Sequence, residues 1–463
     1  MGNISITQEL RRENVNKSKD CEWEQECYQE GCVVAQQKAV NRLREIDERL
    51  FQNHPVSWED HGFKERTIAT RFGELTISRR IYRDEKGSYH YLLDDYLGWS
   101  PHQVATPSLQ ESLVQLATQV PFRQVSKTLE KLTGSVLSTS TVYRLFQKTA
   151  KAATEKERED WQALFGRGES PPGVEKKVPI LYAESDGVWI HLQREKQQHY
   201  EIKNAIAYEG WKRLSGKEER YSLVNKRVYC QANEAIPFWE GASLEWSRFW
   251  DLSYPDWIII GGDGADWIDG GISEFPKSVR QLDGFHLARA CGQGWQEGGA
   301  IYQAIRAGET GEARSLMHKL ISREDTIAQK ARRYVERNLE KGRDWRTQSD
   351  EEGRGLGTME SNEDKLVANR MKKRGLSWRI EGGSMMAKVI QLVANGEIKP
   401  WCMRQQPSIP TETGIALHAP SKSTTNCHQK WLEANIPALI GPNASRPCVK
   451  KLRNLVHNSY PLN

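Results

Sequence analysis

Asp186, Asp263 and Glu360 follow one another along the chain at places where carboxylates could act together. Asp186 closes the apolar run Val178-Pro-Ile-Leu-Tyr-Ala-Glu-Ser-Asp, and Asp263 closes Trp257-Ile-Ile-Ile-Gly-Gly-Asp. Glu360 opens a helix-like stretch with a strongly basic far end. Two acids at strand ends and a third on a helix can converge. Two divalent ions held by such a set clamp the attacking and leaving oxygens of an in-line phosphoryl transfer. Carboxylate oxygens suit hard, octahedral Mg²⁺ better than sulfur or imidazole, and Mn²⁺ can substitute. Between the second and third acids lies Asp283-x-x-His286, an accessory pair expected to support the site rather than bind metal directly.

Each residue also has an ordinary explanation. Asp186-Gly187 between apolar runs is a hairpin-turn signal, and Gly262-Asp-Gly and Asp283-Gly284 read as loops. Glu360 could be a first-turn acid favoured by the helix dipole. His286 could simply bond Asp283 across one helical turn. Glu363 and Asp364 share a helical face with Glu360 and compete for the third place, as does Glu381, whose following glycines read as a turn. The order of the acids within a strand pattern carries the case for chemistry, since that pattern would bring them together.

The elements around them set that pattern. Residues 1–62 are polar and helix-prone, with Ala39, Leu43, Ile46 and Leu50 forming one apolar stripe, for packing on another surface or a second copy. Residues 63–105 turn β-rich, with Asp84-Glu-Lys-Gly as a turn. Residues 106–165 read as three helices. The last is capped by a Ser/Thr run and carries Thr141, Arg144 and Lys148, which suits a helix-turn-helix DNA-binding unit as well as a plain bundle. After the Pro/Gly-rich linker near 166–173, strands are expected at 178–186, 188–193, 199–208 and 221–230. A helix near 233–250 and strands at 257–262 and 278–283 follow. That is the order of a ribonuclease-H-like mixed sheet, an α/β (α+β) fold spanning 174–290 and 351–395, with a helical insertion at 291–350. Residues 396–463 show no motif. The basic run Arg370, Lys372, Lys373, Arg374 and Arg379 follows the third acid and suits DNA phosphates, or a merely solvated face. Trp378 could stack on a DNA end or lie in the core.

Composition sets outer limits. The chain has 463 residues, a net charge of +5, 27% charged and 38% hydrophobic residues. That permits a nucleic-acid partner without demanding one. No segment approaches the ~18 apolar residues of a membrane span, and the start lacks a secretory signal. The expected place is the cytoplasm, at the nucleoid when DNA is bound. The eight cysteines form no C-x-x-C pair and read as reduced thiols; Cys402, His418, Cys427, His428 and Cys448 are only loose metal candidates. Most of the sixteen tryptophans read as core.

Several stretches together resemble the ISLre family of bacterial insertion-sequence transposases, many of whose members carry only an uncharacterised label. They are Phe72-Gly-Glu-Leu-Thr-Ile-Ser-Arg-Arg, Tyr91-Leu-Leu-Asp-Asp, Glu184-Ser-Asp-Gly-Val-Trp-Ile, Gly262-Asp-Gly-Ala-Asp-Trp-Ile, Leu282-Asp-Gly-Phe-His, Glu360-Ser-Asn and Arg370-Met-Lys. The D-x-x-H element is similar to that of the Mutator-like superfamily. The resemblance covers roughly residues 60–395. It implies a DDE catalytic domain with Asp186, Asp263 and Glu360 on Mg²⁺, and Asp283 and His286 as accessory residues. It also implies N-terminal modules that bind terminal inverted repeats, target DNA as second substrate, and action as a homo-oligomer. The alternative is a catalytically inactive or domesticated descendant that binds specific DNA.

Overall fold

The computed structural model describes residues 23–169, 176–214, 220–231, 236–275, 277–348, 354–357, 359, 364–373 and 375–403, without the side chains of Asp364 and Lys365. All fall within one unit by their contacts. Glu360, Glu363, Arg374 and the late Cys/His group beyond Cys402 lie outside the described residues, as does the Asp364 side chain.

Chain order starts with α1 (Trp23–Gln52), whose stripe Ala39, Leu43, Ile46 and Leu50 packs on a small module of β1 (Glu59–Thr70), β2 (Gly73–Arg83), β3 (Tyr89–His90) and α2 (Leu92–Leu97). The β-rich run Thr67–Tyr82 contains a hairpin turn of its own at Arg71-Phe72, besides the one expected at Asp84-Glu-Lys-Gly. Gly73 takes φ +110° there, and the Thr70 hydroxyl donates to its carbonyl at 2.7 Å. The stretch Leu92–Leu97 is helical rather than extended, closed by Gly98 in the left-handed region.

Three helices follow: α3 (Pro107–Ala117), α4 (Phe122–Thr133) and α5 (Thr139–Trp161). Ser138 caps α5 by accepting from Thr141 N, and Gly134 ends α4 at φ +71°. These helices do not close a core of their own. Leu109, Leu113, Val125, Val142 and Phe146 belong to one apolar cluster with Val188, Ile190, Ile206 and Met386 of the sheet region.

The main sheet contains β4 (Ile180–Leu192), β5 (His199–Tyr208), β8 (Arg227–Gln231), β9 (Trp257–Gly262) and β10 (Ser278–Leu282). A separate hairpin, β6 (Trp211–Arg213) with β7 (Tyr221–Leu223), packs Trp211 and Leu223 on the main core, so the single strand expected over 221–230 is two. The spatial order is β10-β9-β4-β5-β8, with β4, β5 and β8 antiparallel and β9 and β10 parallel to β4. This is the ribonuclease-H-like order, with the first strand central. Helix α6 (Phe238–Ser247) joins β8 to β9 and covers one face with Trp239, Trp246 and Trp250; α7 (Asp266–Glu274) follows β9. The other face meets α5 and α12 (Ile380–Ala394), while β11 (Ser377–Trp378) pairs with the far end of β4 and α13 (Ile398–Cys402) closes the described chain.

Between β10 and the return to the sheet lie α8 (Gly284–Gly294), α9 (Gly298–Ala307), α10 (Thr310–Lys319) and α11 (Thr326–Asn338). They enclose their own core of Leu287, Cys291, Trp295, Ile301, Ile305 and Val335. The helical insertion expected over 291–350 falls on these helices, the first of which begins before residue 291.

Candidate active site

The hairpin turn signalled by Asp186-Gly187 does not form. Strand β4 runs straight through it, with Asp186 opposite Asn204 and Gly187 opposite Lys203 on β5. Glycine is needed here for space: a Cβ at Gly187 would overlap the Glu201 carboxylate, with the Glu201 Cγ 3.1 Å away.

Register then aligns the acids. Glu184 lies opposite Gly261 and Gly262 opposite Leu282. Carrying those registers forward brings Asp186 level with Asp263, and Asp263 level with Asp283. The three stand in one row where β9 and β10 end, at the carboxyl edge where open α/β sheets bind ligands. Asp283 N donates to Gly262 O at 2.8 Å, fixing the last step of the row. The Asp186 Oδ1 accepts from Gly187 N at 2.7 Å, and the Asp263 Oδ1 from Ala265 N at 2.9 Å.

Asp283 is the N-cap of α8. Its Oδ1 takes His286 N at 2.8 Å and lies 3.0 Å from His286 Nδ1, so the D-x-x-H spacing is a capping turn with an added imidazole contact. The bond to Asp283 raises the His286 pKa above its ordinary value against burial, and the charges of Asp283, Asp263 and Asp186 add to it. Burial works to raise Asp283, but the hydrogen bonds from His286 prevail and hold it below the usual carboxylate range. Tyr334, from α11, donates its hydroxyl to Asp263 O at 2.6 Å, which ties the insertion to the row.

Glu201, on the face of β5 that covers Gly187 and so opposite to Asp186, is a nearby acid that motif reading passes over. Burial pushes its carboxyl up, Lys203 opposes, and Asp263 and Asp186 push it further. The signal was positional: pairing β4 with β5 puts Glu201 opposite Trp189, three residues beyond Asp186. Trp189 is 54% exposed, unlike the buried Trp239, Trp246 and Trp250 of the same region.

Glu184, two residues before Asp186 and 3% exposed, accepts from the Tyr208 hydroxyl at 2.5 Å. Its other oxygen takes Gly357 N at 3.0 Å and Met359 N at 3.1 Å. A Cβ on Gly357 would stand 3.9 Å from the Asp283 Oδ2, so this strand-like piece runs beside the row.

Other expected site residues separate. Arg370 is not a DNA contact: it is 4% exposed, donates from Nε to Ala117 O at 2.9 Å and lies against Trp378, 5.1 Å from its ring centre. Trp378 is itself structural, donating to Met371 O at 3.0 Å. Lys372, Lys373 and Arg379 are exposed, as are Arg144 and Lys148 on α5, while Thr141 is half-buried beside the cap. Glu381 does not sit at a turn. Helix α12 runs through Gly382-Gly383, Glu381 pairs with Lys151 at 3.1 Å, and a Cβ at Gly383 would lie 3.1 Å from Ile190, which is why glycine stands there.

The donor chemistry of the row fits a hard divalent cation, since it consists of carboxylate oxygens whose charge is felt by the neighbouring Glu201 and His286. Among the described residues no three His, Cys, Asp or Glu side chains stand close enough to share one ion. Within those residues, no helix is long and apolar enough to cross a membrane.

The family model for the uncharacterised protein family UPF0236 matches residues 22–402. Among similar proteins, a UPF0236 protein in the vanSb 3' region of Streptococcus gallolyticus is 28% identical over 76% of this chain and 78% of its own length. UPF0236 proteins of Caldanaerobacter subterraneus subsp. tengcongensis are 24% identical; one match covers 79% of this chain and 74% of the relative, and another covers 77% and 73%. The second of these bears eleven locus designations under one name. A Drosophila P element transposase strand transfer complex is similar at 9% identity over 65% of this chain and 84% of that one, with a TM-score of 0.23, too slight a likeness to argue from. The match spans most of the sequence, so the chain belongs to UPF0236, the uncharacterised protein family.

Proposed function

We propose that this protein is a DDE transposase of a bacterial insertion sequence, cutting DNA at the element's ends and joining the freed 3′-hydroxyls to target DNA. The observation that carries the reading is the row of Asp186, Asp263 and Asp283 across three neighbouring strands of a ribonuclease-H-like sheet. The relative named for eleven loci of one genome adds weight, because a gene that moves leaves such copies.

Asp186 and Asp263 would hold Mg²⁺ from the sheet, and Glu360, next in sequence to the anchored Met359, would complete the set. Metal ions held there would supply Lewis-acid activation of a water and neutralise charge on the leaving oxygen. The new P–O bond forms as the P–O3′ bond at the element's end breaks, and the 3′-oxygen leaves with a proton. In the second step that 3′-oxygen attacks a target phosphate and displaces its 3′-oxygen. Neither step uses a covalent protein intermediate. Asp283 bonds His286 beside the row, where the imidazole orients the scissile phosphate. Arg144, Lys148, Lys372, Lys373 and Arg379 contact DNA phosphates. Two ends are cut by a homo-oligomer.

The test uses labelled DNA from the gene's own flanks, with Mg²⁺ or EDTA. Nicking at a fixed end position is expected, with Asp263→Asn keeping end binding and losing cleavage. A fully active Asp263→Asn protein would sink the assignment. Tight binding without cleavage by the wild type would point to a DNA-binding descendant instead.

A further inference from the structure

We propose that Glu184 is a positioning residue, whose buried carboxylate fixes the chain at Gly357 and Met359 against the acid row. The inference rests on the reading above for its consequence, though not for its geometry. A carboxylate taken out of water is costly unless its oxygens are met by donors. Here both are met. One oxygen accepts the Tyr208 hydroxyl, and the other takes two backbone N–H groups from a segment more than 170 positions away.

The surroundings are built for this contact. Gly261, opposite Glu184 on β9, leaves the room that Leu356 uses: a Cβ there would lie 2.8 Å from the Leu356 Cδ1 and 3.2 Å from the Glu184 Cγ. Gly357 adopts φ +140°, a conformation side chains rarely take, and so can present its N–H to Glu184 while passing Asp283. Tyr208, the donor to the first oxygen, is fully buried and stacks on Tyr182 with ring centres 5.5 Å apart, which holds the carboxylate's orientation. Glu184 also shares its strand and face with Asp186. One side chain therefore couples the strand that bears the first acid to the residues that precede Glu360 in sequence. Two convergent N–H donors demand an acceptor, which an apolar side chain lacks and a glutamine keeps.

The first measurement is amide hydrogen exchange on the wild-type protein. The Gly357 and Met359 amides are expected to be protected well beyond neighbouring exposed amides, and exchange as fast as an open loop would overturn the proposal without any variant. In Glu184→Leu that protection should vanish, whereas Glu184→Gln should keep most of it. For cleavage, Glu184→Leu should need at least ~10-fold more Mg²⁺ at unchanged end-DNA affinity, as for groups that orient metal ligands. Glu184→Gln should recover near wild-type dependence. Protected amides in Glu184→Leu, or unaltered Mg²⁺ dependence there, would overturn the inference while leaving the transposase reading intact. A wild type that cuts no DNA but shows the glutamate-dependent protection would sink the transposase reading and leave the anchoring in place.

Discussion

Asp94, in the N-terminal β module, and Asp263, at the sheet end, are acids handled in opposite ways. Asp94 is buried between two arginines, with Arg66 at 2.6 Å from one oxygen and Arg79 at 3.3 Å from the other. Those guanidiniums are fixed in turn: Arg66 donates to Ser100 O and Gln103 O, and Arg79 lies 3.8 Å from the Tyr91 ring centre. Charge there is neutralised within the fold and serves the fold. At the sheet end, Asp186 and Asp263 stand level with each other with no guanidinium of the described residues between them, and burial together with their charge pushes the nearby Glu201 up. Like charges held together cost stability, and the arrangement makes sense when a cation or a cationic centre completes it.

That contrast can be broken by mutation. The largest effect on folding is expected from Arg66→Ala, which leaves Asp94 buried and half-paired, at a cost of about 3–5 kcal/mol in urea unfolding. A loss near zero would mean the module tolerates the naked acid and the two regions do not differ.

Next comes the basic run. Arg370→Ala should cost roughly 2–4 kcal/mol, through lost packing and an unmet Ala117 carbonyl. Lys372→Ala and Arg379→Ala should each change stability by less than ~0.5 kcal/mol. Each should instead lower the salt dependence of DNA binding by about one unit of slope. Equal salt slopes in all three variants would remove the distinction between buried and exposed cations.

Smaller again, and of opposite sign to Arg66→Ala, is Asp186→Asn. Without divalent ions it should leave stability unchanged or raise it by up to ~1 kcal/mol, because one repelling charge is gone. The rise in Tm on adding Mg²⁺ to the wild type should vanish in the variant. A marked loss of stability in metal-free buffer would show that Asp186 is a structural acid like Asp94.

The smallest effect is in pH. His286 is raised above 6.5, so its contribution to stability is full below pH 6.5 and fades as pH climbs through the higher folded value. Asp283 is lowered from 3.8, so its contribution is full above pH 3.8 and fades as pH falls through the lower folded value. The pair therefore supports the fold best between those limits. Glu201, raised from 4.5, works the other way for an acid: its ionisation penalises the folded state increasingly as pH rises above 4.5. In thermal unfolding, His286→Ala should flatten the decline above pH 6.5 and Glu201→Gln should raise stability at neutral pH. An unaltered slope in His286→Ala would mean its bond to Asp283 contributes nothing to folding.

Much of this was legible because local pattern and long-range geometry agree along the first and fourth strands of the sheet. Apolar runs ending in acids at Asp186 and Asp263 announced strands, and strand order announced which ends meet. Where the two disagreed, reading failed. Asp186-Gly187 looks like a turn, yet the glycine is there to make room for Glu201 within a strand. Gly382-Gly383 looks like a break, yet the second glycine lets α12 close on Ile190. Arg370 looks like its exposed neighbours in sequence, but Phe122 and Trp378 surround it.

By itself the sequence determined most of the element types, the order of the acids and the capping turn of Asp283 with His286, since these depend on residues within a few positions of one another. Only the tertiary structure decided which acids share a row, that Glu201 lies close enough to feel them, that Glu184 grips Gly357 and Met359, and which cations of the basic run are buried. Those facts depend on register between strands far apart in the chain and on packing against distant helices, and neither leaves a periodic trace in the sequence.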